Sequence, residues 1–441
     1  MKKKLQLIGA VMVCSITFGQ EVHTKRCATV DYMNYRESKQ AGYIQSTKDV
    51  FNNAITDGSL KSGETYTIPV VVHVLYNTPT QNLHDSVIFN QIRILNEDFN
   101  RLNADTVNLR PAFFPHTGKG NVQFKLAEFD PSGNPTNGIT RTSTTNSTFA
   151  GSFFELFTGD MSSIERVKST VDGGINPWNQ SRYLNIWICN MAIDFMGTEM
   201  PLLMGYATPP EGLSNWPAGS VDGLGDGVVL QYQVVGSNNP NDLDIDGTTY
   251  VVKGRTGTHE VGHYLGLRHI WGDGDCSQED GIADTPNADS ESSQDCNKTK
   301  NTCTDNIGGV DLPDMVENFM DYSAEDCQNS FTEGQMNLIR AVLENNRYDL
   351  IHNNSALSIS SVEIFEVSLF PNPANETVTL KSKEFLNGKI IISDLNGKVV
   401  KEVSANGLET IISINNLKNG AYQVSVEGPN STRAFTKLIK L

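Results

Sequence analysis

The chain has 441 residues, enough for two or three domains and a sizeable core. Its formal net charge of -17 argues against nucleic acid as a partner and suits cationic substrates or bound divalent cations. Residues 358–441 hold 9 Lys+Arg against 8 Asp+Glu, so the acidity belongs to the rest of the chain.

Lys2-Lys3-Lys4 precede an apolar run from Leu5 to Phe18 that ends near Gly19-Gln20, which reads as a signal peptide over 1–20 and a secreted product. The run is too short and wrongly flanked to cross a membrane, and no other segment approaches the length. Cys14 offers a lipoprotein alternative, but the apolar run continues past it, which favours cleavage near Gly19 or Gln20. Residues 21–61 are polar and read as a propeptide. Tyr66 to Tyr76 is a buried strand, because β-branched residues run through it without clean alternation, and His73 within it is structural. Asp85 to Leu102 has helical apolar spacing, with Asp85 capping its start. Strands at Val122 to Phe129, Tyr183 to Cys189 and Val228 to Val235 alternate with Gly- and Pro-rich connections. The class is α+β, with a mixed twisted sheet backed by helices over 62–352.

His259-Glu260-Val261-Gly262-His263 places two imidazoles one turn apart on one helix face, with a carboxylate beside them. Gly266 lets the helix stop and the chain turn, so that His269 approaches from a third direction. Three nitrogen ligands leave tetrahedral zinc an open position for water, whose pKa falls to about 7, with Glu260 as general base. Downstream lies Glu317-Asn318-Phe319-Met320-Asp321-Tyr322. The two segments together resemble the metzincin metallopeptidases, in which Met320 would underlie the metal and Tyr322 would donate to the oxyanion. Trp271-Gly272-Asp273, Asp284-Thr285-Pro286 and Asn318 to Tyr322 further resemble the pappalysin family, over about residues 65–350. The resemblance implies a secreted zinc endopeptidase acting on proteins or peptides. A zinc amidase or esterase, or a non-catalytic adhesin on the same fold, are the competing readings.

Without Cys14, six cysteines remain in an exported chain, an even and oxidised set. The family resemblance implies bridges Cys276 to Cys303 and Cys296 to Cys327, although spacing alone permits three pairings. Cys27 lies where latent relatives carry a thiolate that fills the open zinc position; a Cys27 to Cys189 disulfide is the alternative. The sheet edge above a metzincin cleft is antiparallel to substrate, which nominates Gly227, Val228 and Val229 for backbone binding. Asp326 occupies the position relatives use to floor the pocket after the cut, which implies preference for Arg, then Lys. Between Trp271 and Ser330 stand fifteen Asp and Glu against two Lys. Asp273, Asp275, Asp280, Asp284 and Thr285 are candidate calcium ligands by the same resemblance, a hydrated acidic loop being the alternative.

From about 353–361, a linker, the composition shifts to short alternating runs. Asn387-Gly388, Asn396-Gly397, Asn406-Gly407 and Asn419-Gly420 punctuate them as hairpin turns. Residues 362–441 form a small β-sandwich. Leu369 to Ala374, Asp394 to Gly397 and Lys437 to Leu441 resemble the C-terminal sorting domain of type IX secretion substrates, which makes that machinery a partner. The sequence is silent on oligomeric state.

Overall fold

The computed structural model describes residues 25–56, 64–152, 155, 161–195, 198–201, 203–210, 225–245, 247–352, 356–357, 367–394, 398–427 and 433–441. The expected signal peptide, the end of the propeptide and most of the linker lie outside them. The chain divides into two compact units, Met1–Ala127 with Thr136–Asn353, and Glu128–Pro135 with Asn354–Leu441.

The first unit is built on a seven-stranded sheet. In chain order its elements are β1 (Lys25–Cys27), α1 (Thr29–Lys39), α2 (Tyr43–Thr56), β2 (Tyr66–Tyr76), α3 (Asp85–Phe99), β3 (Val122–Leu126), β4 (Ile139–Ser143), β5 (Leu184–Cys189), β6 (Leu203–Ala207) and β7 (Val228–Gln231). Helices α4 (Arg255–Tyr264) and α5 (Glu333–Asn345) follow. The sheet order is β1-β6-β7-β5-β2-β3, with β4 also paired to β2. Its pairings are parallel except β6 with β7. Helices on the faces explain why β2 is buried along nearly its whole length and shows no period of two.

Several boundaries differ from the sequence expectation for local reasons. Helix α3 is capped by His84, whose Nδ1 accepts the Ser86 amide at 3.2 Å. Asp85 pairs with Arg141 instead. The helix stops at Phe99, where Arg101 takes φ 54° and the Asn100 side-chain Nδ2 donates to Val122 O at 2.7 Å. Strand β3 ends at Leu126, and Glu128–Pro135 belongs to the second unit. Strand β7 gives way at Tyr232–Val234 to a 3-10 turn.

The second unit is a five-stranded sheet of β8 (Val367–Phe370), β9 (Thr377–Ser393), β10 (Val399–Ser413), β11 (Gly420–Glu427) and β12 (Arg433–Lys440). Its order is β8-β9-β11-β12 with β10 on β9. Two expected hairpin turns are absent: Asn387 pairs with Asn406 in the middle of β9 and β10, next to Gly388 and Gly407. A register shift between Lys381 and Leu386 bends the long strands there, so that one ladder runs the length of both. Asn396-Gly397 lies outside the described residues. Bending closes the sheet over a core of Leu380, Ile390, Ile392, Val424 and Leu438, all fully buried.

His73 on β2 is enclosed between Thr140, 2.7 Å from Nδ1, and Asn185, 3.0 Å from Nε2. Burial holds its pKa down at about 4. An unfolded histidine titrates near 6.5, so between those values the unfolded chain binds more protons and stability falls as pH drops. We expect this residue to account for about 2 kcal/mol of stability lost from pH 7 to pH 5. Urea unfolding of His73→Gln should show a smaller pH dependence than the parent; an equal dependence in both would exclude His73 as its source.

Candidate metal centre

Helix α4 carries His259, Glu260 and His263 in the interior of the first unit. Its N-terminus is held by the buried Glu325, whose carboxylate accepts the amides of Arg255 at 3.1 Å and Thr256 at 2.7 Å. An acidic group there satisfies orphan donors and complements the helix dipole. Gly266 follows the helix at φ 99°, and the Leu267 amide returns to Gly262 O at 3.0 Å. This closure brings His269 back over the helix.

The three Nε2 atoms lie 3.1 Å apart for His259 and His263, 3.0 Å for His263 and His269, and 3.3 Å for His259 and His269. Each Nδ1 faces an acceptor: Phe319 O at 2.7 Å, Leu267 O at 2.9 Å and Asp273 Oδ1 at 2.5 Å. Those acceptors require the proton on Nδ1, which leaves three Nε2 lone pairs converging on one point. Burial, and after it the neighbouring His269, holds the His263 pKa down at about 3, so it stays neutral. Lone pairs gathered in this way repel unless a cation sits between them, and a neutral imidazole triad is a donor set suited to zinc. The residues fit the ion.

Around the triad, Met320 is fully buried beneath α4. A Cβ at Gly262 would stand 2.5 Å from its sulfur, so only glycine admits the methionine. The turn that carries Met320 is braced by Arg110, whose guanidinium bonds the buried Glu317 at 2.8 and 2.7 Å. Trp271 stacks on His269 at 4.3 Å, and the Tyr322 ring lies 5.0 Å from the same imidazole.

The N-terminal segment enters the site. Cys27 Sγ lies with the three imidazoles in a group whose ligand atoms are all within 4.8 Å of one another. Cys27 and Cys189 are both free and buried, so the alternative disulfide between them is absent. Cys27 Sγ donates to Glu260 Oε2 at 3.3 Å and Thr29 Oγ1 donates to the same oxygen at 3.1 Å. Tyr322 Oη donates to Cys27 O at 3.2 Å. Thr29 was not singled out from the sequence, nor was Gly205, where a Cβ would press on Glu260 Cγ at 2.9 Å. No local pattern marks either, since both act across more than fifty residues of sequence.

Two expectations need correction. Gly227, Val228 and Val229 are not at a free edge: β7 is paired with β5 on one side and β6 on the other, and Gly227 O accepts the Thr208 amide at 2.9 Å. The strand facing the cleft is β6, which pairs with β1 in parallel, Cys27 opposite Gly205. Asp273 is committed to His269, and Asp275 closes a turn on Ser277 at 2.9 Å, so neither joins the other acidic candidates. Asp326 is exposed beside the sulfurs of Cys296 and Cys327, while its neighbour Glu325 turns inward. Disulfides join Cys276 to Cys303 and Cys296 to Cys327.

Asp280 Oδ2, Asp284 Oδ1 and Thr285 Oγ1 are buried oxygens in one short loop, with the Thr285 hydroxyl the neighbouring donor for Asp280. Burial pushes the Asp280 carboxyl well above the usual carboxylate range, with Asp284 adding to the shift. Three such oxygens in one short loop have the chemistry of a hard-cation site.

Asp273 orients a triad imidazole, so Asp273→Ala should weaken zinc affinity about 10- to 100-fold. Competition with a chromophoric chelator measures this, and an unchanged affinity would show that the His269 contact is dispensable.

The family profile for peptidase M43, described as pregnancy-associated plasma protein-A, matches residues 235–344, and that of the secretion system C-terminal sorting domain matches 368–441. Mature mirolysin of Tannerella forsythia, solved in complex with a cleaved peptide, is 40% identical with a TM-score of 0.55, covering 67% of this chain and 99% of its own. A promirolysin mutant from the same organism is 37% identical with a TM-score of 0.59, covering 75% and 97%. An extracellular metalloprotease of Uncinocarpus reesii is 30% identical over 63% of this chain and 76% of its own length. Against the extracellular metalloprotease of Arthroderma benhamiae the chain is 45% identical but spans only 32% of that relative. The metal triad, its methionine turn and this extent of similarity agree: the chain belongs to the M43 metallopeptidase family and carries a type IX C-terminal sorting domain.

Proposed function

We propose that the chain is a zinc endopeptidase, exported through the type IX machinery as a latent precursor. The observation that carries this reading is the convergence of three Nε2 lone pairs beside Glu260 and Tyr322. Zinc held by His259, His263 and His269 supplies a Lewis acid and an acidified water. Glu260 Oε2 takes the proton from the attacking water and passes it to the leaving amine nitrogen. Tyr322 Oη, which donates to the Cys27 carbonyl in the precursor, donates to the scissile carbonyl oxygen as charge builds there.

Residues 25–56 are the described part of the inhibitory segment. Cys27 supplies a sulfur ligand for zinc, and Thr29 and Cys27 together occupy the Oε2 atom on which the base works. Because β1 runs parallel to β6, a substrate antiparallel to β6 has the opposite polarity, and the segment fills the cleft without offering a peptide bond in the cleavable direction. After maturation the outer edge of β6 takes the substrate backbone. Asp326, exposed below the Cys296–Cys327 bridge, pairs with Arg, and less well with Lys, after the cut. Asp280, Asp284 and Thr285 bind calcium, which the three buried oxygens of this loop support.

Glu260→Ala should retain zinc yet lose about two to four orders of magnitude in peptide cleavage. Mass spectrometry of a digested peptide library reads this and the Arg preference together. Retained cleavage would exclude Glu260 as base, and turnover of small amides or esters alone would favour a non-peptidase hydrolase. Separately, calcium should raise the melting temperature of the zinc-loaded chain, and Asp280→Asn should abolish that rise. An identical transition with and without calcium would remove the site.

A further inference from the structure

Tyr32, on α1, is completely buried in the first unit. Its ring packs on Tyr206 with centroids 4.9 Å apart, and its hydroxyl accepts from Lys168 Nζ at 3.2 Å. Lys168 is itself buried, and its ammonium spends its remaining donors on Glu165 Oε1 at 3.2 Å and Gly225 O at 2.9 Å. The Tyr206 ring lies 4.8 Å from the ammonium and the Trp187 ring 5.7 Å from it. Tyr35 and Arg36, which also touch Tyr32, lie on α1 and leave with it, whereas Tyr206, Lys168, Glu165, Gly225 and Trp187 belong to the region that stays after maturation.

Removing α1 therefore opens an aromatic-walled recess with one ammonium N–H lacking a partner. An ammonium left so in a desolvated site favours any ligand that restores the missing acceptor. A phenol does this, adding a flat face for Tyr206, whereas a phenyl ring fills the volume and leaves the donor unpaired. Position follows from register. Gly205 stands opposite Cys27 at the metal, and Tyr206 is the next residue of β6, about 3.3 Å further along. Met204, on the other side of Gly205, lines a separate recess with Thr256 and Glu325. With substrate antiparallel to β6, Met204 marks the side after the cut and Tyr206 the acyl side.

We propose that the seat filled by Tyr32 is a substrate subsite on the acyl side of the scissile bond and that it selects tyrosine. This rests on the endopeptidase reading. The test uses the zinc-loaded full chain, matured by limited proteolysis, with peptides that carry Tyr, Phe or Ala at each acyl-side position in turn. At one position kcat/KM should be about tenfold higher for Tyr than for Phe. Lys168→Met should bring that ratio to about one. Equal cleavage of the three peptides at every position overturns the proposal without a variant having to fold, and a Tyr preference that survives Lys168→Met overturns the role of the ammonium. If no peptide is cut the endopeptidase reading falls, and the seat is read by binding. A synthetic 25–39 peptide should bind the matured chain about tenfold more weakly with Tyr32→Phe, and equal affinity overturns the proposal.

Discussion

The structure turns on three imidazole lone pairs forced to face one another. That arrangement is held by contacts from three directions: a carbonyl of the methionine turn, a carbonyl of the helix-ending turn and the carboxylate of Asp273. Each fixes a tautomer as well as a ring orientation, so the donors are set before any ion arrives. Much of the first unit serves this pre-organisation. Glu325 holds the start of α4, Gly262 makes room for Met320, and Arg110 braces Glu317 at the base of the methionine turn. The two disulfides tie the long acidic segment around it into defined loops.

The sheet edge supplies the second constraint. Strand β6 runs antiparallel to β7, and its outer edge pairs with an extended segment by backbone bonding. Strand β1 occupies that edge in parallel. One face therefore serves both the proposed substrate and the proposed inhibitor, distinguished by chain direction. The same economy extends to side chains, since Tyr322, Glu260 and the Lys168 recess all have partners in residues 27–32.

Burial decides several local chemistries. His73 is kept neutral by its enclosure, and the Asp280 carboxyl is pushed up by burial, with the Thr285 hydroxyl as a neighbouring donor that offsets part of the shift. Asp273 and Asp275 are close to that loop in sequence but have other engagements. In an acidic segment, neighbouring positions in the chain were a poor guide to which carboxylates face one another.

Legibility followed the range of the interaction. The methionine turn was legible only through the family resemblance, while the sequence by itself determined the three imidazoles, the carboxylate beside them, the buried strand at Tyr66–Tyr76 and the composition break before the C-terminal sheet. Each is encoded in contiguous residues whose spacing matches a helical turn, a glycine stop or a run of β-branched side chains. Only the tertiary structure decided which strand borders the cleft, that Thr29 reaches Glu260, that Glu325 rather than a neighbouring residue in the chain caps α4, and that two Asn-Gly pairs continue a strand instead of turning it. These depend on pairing register and on contacts between residues far apart in the chain, and a one-residue shift in register changes which side chains meet.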